Sequence, residues 1–166
     1  MEGYQGANYQ QDVIEELRKQ AEVFFYGPGF PHYDHRDSIF DVLAKAPFEP
    51  DAIIVGHSWL SDQAGCTVDP HPSLRLSQTS LMKVAILNKE YVNLQDKLEF
   101  IRANRFSLGV SHHHDSAFYK MATQTDFLFW PFAFNHHQFG LPTSPREIDL
   151  SFSGILQNQN KNAQQT

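Results

Sequence analysis

A single cysteine, Cys66, stands among 166 residues. It excludes an internal disulfide and fits a reducing compartment, because a bridge needs two thiols and an oxidising setting. Positive charge is also scarce. Against 19 Asp and Glu there are 13 Lys and Arg, scattered along the chain, for a net charge of −6. Binding to a nucleic-acid backbone needs a positive stripe, so no nucleic-acid partner is expected. No apolar run approaches the ~20 residues that span a bilayer. The opening MEGYQGANYQ lacks the charged-then-apolar pattern of a secretory signal. G-x-S-x-G elbows, Walker A loops and H-x-x-x-H or H-E-x-x-H pairs do not occur, so the usual hydrolase and NTPase motifs are missing. The expectation is a cytoplasmic protein with no membrane span.

What the sequence does have is a globular composition: 41% apolar residues, including 14 Phe, 6 Tyr and 2 Trp. The length suits one domain with a sizeable core. QQDVIEELRKQ places Val13, Ile14 and Leu17 at helical spacing, with Glu15, Glu16, Arg18 and Lys19 opposite. AEVFFY (21–26) reads as a short strand, broken at once by GPGFP. RDSIFDVLAKA gives a second helix, with Ile39, Phe40 and Leu43 on one face. PDAIIVG (50–56) is an apolar strand, and residues 57–80 form a long loop with room for a helical turn. LMKVAILN (81–88) is the next strand. NLQDKLEFIRAN then carries Leu94, Leu98 and Ile101 at helical spacing, with Asn93 as cap. FSLGVS is a strand, DSAFYKMAT a short helix and DFLFWPFAFN a strand, and REIDLSFSG (146–154) closes the pattern before a polar tail, 155–166.

Strands apolar throughout, alternating with amphipathic helices, belong to parallel sheets buried on both faces. The expected fold is therefore α/β: a doubly wound, Rossmann-like three-layer domain over 1–154 with a mostly parallel sheet. Such sheets bind ligands beyond the carboxyl ends of their strands. The segments standing there are GPGF (27–30), GHSW (56–59), NKEY (88–91), SHHHD (111–115) and PFAFN (131–135). GPGF is not a dinucleotide fingerprint, because the third glycine and the following helix start are missing. His57 and Trp59 either line a loop or hold a ligand. In NKEY, Lys89 suits an anionic group and Glu90 suits a base or a sugar-hydroxyl acceptor; the alternative is a solvated pair.

His112, His113 and His114 suggest metal, yet consecutive side chains point in different directions and rarely share an ion. Completing a site would need His136, His137, His32, His35 or Asp115, and no spacing demands it. One rim histidine used for hydrogen bonding or proton transfer is the better expectation.

The order of YQQDVIEEL, VFFYGPGF, PDAIIVG, KVAILNKEY, LEFIRANRFSLGVSHHH, FLFWPFAFN and IDLSFSG, from Tyr9 to Gly154, resembles bacterial and viral glycosyltransferases. These are family-1-like enzymes of the two-domain GT-B architecture, including those grouped with spore-maturation glycosyltransferases. The resemblance implies the N-terminal, acceptor-side domain. The family's first strand and its donor-binding motif have no counterpart here, so a C-terminal donor-binding domain is the implied partner. The activity implied is metal-independent sugar transfer from a nucleotide-sugar, as co-substrate, to a hydroxyl of a saccharide or glycan acceptor. Glu90, His112 and His113 are the implied catalytic candidates. His57, Trp59, Asn88, Lys89, Tyr91, His114 and Asn135 are the implied substrate-binding residues, with no metal and no resident cofactor. Two other functions stay open: a non-catalytic sugar- or nucleotide-binding Rossmann-like module, and a metal-dependent hydrolase built on the histidine clusters.

Overall fold

Four apolar runs become strands, and each follows a helix or helical turn. The computed structural model describes residues 8–57, 59–60 and 67–131. All of them fall within one compact unit, Met1–Phe134. In chain order the elements are α1 (Asn8–Gln20), α2 (Ile39–Lys45), β1 (Ala52–Val55), 3-10 turns at Pro72–Leu74 and Leu76–Gln78, β2 (Met82–Ile86), α3 (Leu94–Ala103), β3 (Leu108–Ser111), α4 (Ser116–Thr123) and β4 (Asp126–Phe129). Asn135, the 146–154 segment and the 155–166 tail lie outside the described residues.

The four strands form one all-parallel sheet in the order β1-β2-β3-β4. The chain is thus α/β, as expected. Sequential order has no reversal, so the switch point of a doubly wound sheet is not found among the described residues. Right-handed crossovers in one direction also place α3 and α4 on the same face of the sheet. Their buried Leu98, Ile101 and Tyr119 join Ala85, Leu87 and Phe127 in a single core. The register puts Ile54, Met82 and Leu128 on the other face, where each is about half exposed. Burial on both faces therefore holds for β3, where Val110 is 8% exposed, but not for β1, β2 and β4.

α2 starts sharply because Ser38 and Asp41 form a reciprocal capping box. Asn93 stands before α3, but in the left-handed region (φ 50°) and without a side-chain capping bond. Its backbone carbonyl accepts from Lys97 N at 3.0 Å instead. The run 21–26 forms no strand. Its rings pack locally: Phe24 on His32, Phe25 on Phe30 and Tyr26 on Tyr33, with centroids 5.8, 5.6 and 5.3 Å apart. Gly29, at φ 91°, makes the turn that returns the chain for these contacts. Among the described residues no helix is long and apolar enough to cross a membrane.

Candidate functional site at the carboxyl edge of the sheet

Beyond β2, Leu87 N still donates to Val110 O at 2.8 Å, and the chain then leaves the sheet through Asn88, Lys89 and Glu90. Lys89 takes a left-handed conformation (φ 48°). Lys97 holds this turn from below. It sits on the Leu94–Leu98–Ile101 face of α3, is fully buried, and its Nζ donates to Asn88 O at 2.9 Å and Lys89 O at 3.4 Å. Asn88 and Lys89 thus contribute carbonyls to the architecture of the site, while Tyr91 is 84% exposed.

Glu90 reaches from the β2 end to the β3 end. Its Oε1 accepts from Ser111 Oγ at 2.9 Å and from His112 N at 2.8 Å. Burial pushes the carboxyl up, but the hydrogen bonds from its own backbone N–H, Ser111 and His112, with the His112 charge, outweigh it. The net result is a lowered pKa and an ionised carboxylate. A carboxylate held this way is a weak proton acceptor and a strong anchor. Ser111 is buried and also accepts from His113 N at 2.9 Å. Tyr119, buried beneath, has its hydroxyl pKa raised, chiefly by burial; Ser111 offsets part of this, and Glu90 and Asp115 add to it.

The three histidines occupy the turn between β3 and α4, whose start Asp115 caps by accepting from Phe118 N at 3.0 Å. Their surroundings differ. His112 Nδ1 lies 2.6 Å from Trp130 O, and Trp130 N in turn donates to Ser111 O at 2.8 Å. A carbonyl only accepts, so His112 Nδ1 carries a proton, and in the neutral form of the ring the lone pair is on Nε2. His113 has the opposite tautomer. Its Nδ1 accepts from Asp115 N at 3.2 Å, which leaves the proton on Nε2. His113 and His114 are exposed and stack on each other at 4.8 Å. Among the described residues no group of three or more His, Cys, Asp and Glu is placed to hold a metal ion.

The β1 end builds a second cluster. Turns from Gly56 to Leu60 (Trp59 N to Gly56 O, 3.0 Å; Leu60 N to His57 O, 3.1 Å) bring half-buried Trp59 over His71. His71 is 1% exposed. Around it stand Tyr33 edge-on at 5.6 Å, Trp59 at 5.9 Å and Tyr26 at 6.3 Å. Neither ring nitrogen of His71 has a hydrogen-bond partner, and neither has the buried Trp59 Nε1. Asp69, left-handed at φ 61°, accepts from His71 N at 3.3 Å. Burial raises its pKa, against the lowering pull of the His71 backbone and the nearby Trp59 indole.

The expected rim therefore falls into two clusters, one over β1 with Trp59 and one over β2 and β3 with Glu90, His112 and His113. Half-buried His57 stays with the β1 turn. Sequence reading missed Lys97, Ser111, Tyr119, Asp69 and His71. Only Lys97 carried a signal, since it lies three residues after Leu94 and one before Leu98 on the apolar stripe. Comparison with known proteins returns no matching family, no matching curated protein and no matching solved structure.

Proposed function

We propose that this domain is the acceptor-side half, three-layered and Rossmann-like when complete, of a GT-B-type glycosyltransferase. It holds a saccharide acceptor at the carboxyl edge of its sheet and works with a donor-binding domain that carries the nucleotide-sugar. The observation that carries the reading is the junction of Glu90, Ser111 and His112 where β2 and β3 end. His112 is the base of this scheme. The acceptor hydroxyl gives its proton to Nε2 as its oxygen bonds to the anomeric carbon. The bond from that carbon to the diphosphate breaks, and the electron pair leaves with the diphosphate. Glu90 positions His112 through its backbone N–H and supports the imidazolium by charge, and Lys97 positions Glu90. No step calls on a metal.

A non-catalytic saccharide-binding module is the second reading, favoured by the lowered pKa of Glu90 and the two hydrogen bonds its Oε1 already accepts. Long-range proton–nitrogen spectra of the histidine rings test the first. His112 is expected as the Nδ1–H tautomer, and added saccharide is expected to shift its ring signals. A titration in which only nucleotide-sugars move His112, or in which the ring is the Nε2–H tautomer, contradicts the proposal.

A further inference from the structure

A buried imidazole with both nitrogens unpartnered destabilises a fold, because each polar atom has lost water without gaining a partner. Natural structures satisfy such atoms, so an orphan of this kind calls for an explanation beyond packing. His71 contributes two orphans and Trp59 Nε1 a third, all at one spot. They sit past the carboxyl end of β1, the edge where open α/β sheets bind ligands. We infer that the Tyr26–Tyr33–Trp59–His71 cluster, with Asp69, is a subsite for a neutral sugar ring. This inference rests on the saccharide-acceptor reading above and names where one ring of that acceptor docks.

The chemistry of the cluster selects the class of ligand. The indole N–H only donates, the Asp69 carboxylate only accepts, and a neutral imidazole does one at each nitrogen. Hydroxyl groups both donate and accept, so adjacent hydroxyls of a sugar match this mixed set. The flat faces of Trp59 and Tyr33 suit the C–H face of a pyranose. A phosphate or diphosphate is disfavoured, because Asp34, Asp37 and Asp69 surround the cluster and Lys45 is already paired with Asp37. The three nitrogen atoms are closed to solvent in this structure. The rings over them, Tyr26, Tyr33 and Trp59, are only half-buried, and binding requires one of them to turn aside from the imidazole. The strained Asp69 backbone fits a segment shaped for binding.

The experiment is a calorimetric titration of the full chain with methyl glycosides of glucose, galactose and N-acetylglucosamine, with UDP as the anionic control. His71→Phe keeps a ring in the cluster and removes both orphan nitrogens. The expected result is binding of at least one glycoside by the wild type, weakened about tenfold or more in His71→Phe, as loss of one good hydrogen bond requires. The melting temperature of the variant should be unchanged or higher, which a purely structural histidine would not combine with lost binding. Glycoside binding that is unchanged in His71→Phe overturns this inference and leaves the acceptor reading standing; no glycoside binding at all overturns both. Should His71→Phe fail to fold, Trp130→Phe supplies the second route, since Trp59 is then the only tryptophan. Its emission should change on adding the bound glycoside, and constant emission under saturating glycoside overturns the inference.

Discussion

Gly109 lies in the middle of β3, paired with Ala85 on one side and Phe127 on the other. A Cβ placed there would stand 2.3 Å from Phe127 Cε1, 2.3 Å from Cζ and 2.5 Å from Cε2, far inside van der Waals contact. The ring has little room to withdraw, because Phe127 is 8% exposed and stacks on buried Tyr119 at 4.8 Å. Overpacking of a close-fitted core costs roughly 1–3 kcal/mol. With three ring atoms in the way and a second ring behind them, Gly109→Ala belongs at the upper end, about 3 kcal/mol. In a chain of this size each kcal/mol lowers the melting temperature by about 2–4 °C, so a fall of roughly 6–12 °C is expected by calorimetry. Adding Phe127→Leu should recover part of it, which a double-mutant cycle measures directly. A fall below about 2 °C, or no recovery in the double variant, refutes the packing argument. The displacement also reaches the site, because Tyr119 supports Ser111 and Ser111 holds Glu90.

Lys97→Met removes a buried ammonium and leaves the Asn88 and Lys89 carbonyls without their donor. Hydrogen bonds from a charged group contribute about 1.5–3 kcal/mol net, and the apolar methionine offsets part of their loss, so a net loss of about 2 kcal/mol is expected in urea unfolding. A gain in stability would show that burying the charge dominates. Glu90→Gln tests the lowered carboxyl pKa. A folded pKa below the unfolded one adds stability that is present above the ordinary carboxylate range and is lost as pH falls through the folded value. The gap in urea midpoint between wild type and Glu90→Gln should therefore be widest near neutrality and shrink as pH drops below about 4; a gap that is constant with pH contradicts the assignment.

The sheet was legible where apolar runs ended in turn residues: β1 between Pro50 and Gly56, β2 before Asn88, β3 before the histidines. Run 21–26 looked equally strand-like, but its aromatic side chains found partners in the following turn, which period and propensity cannot register. Sequence also gives no account of strand order, so a sheet without reversal and a half-exposed face were not foreseeable from apolar strands. In the site, the position of Glu90 and the histidines followed from strand ends alone. Their division of labour did not, because a tautomer depends on whether a carbonyl such as that of Trp130 or an N–H such as that of Asp115 faces the ring. His71 was invisible for a related reason. A lone histidine between two prolines, in DPHPS, announces nothing until the rings of Tyr26, Tyr33 and Trp59 close around it.

The most direct measurement of the central claim is a thermal-shift series on the full chain with free saccharides, nucleotide-sugars, and zinc with a chelator control. A ligand at about 100 times its dissociation constant adds roughly 2.7 kcal/mol, a readily visible shift. The acceptor-side account predicts stabilisation by saccharides and none by nucleotides alone. Stabilisation confined to nucleotide-sugars, or by zinc and reversed with chelator, would contradict it.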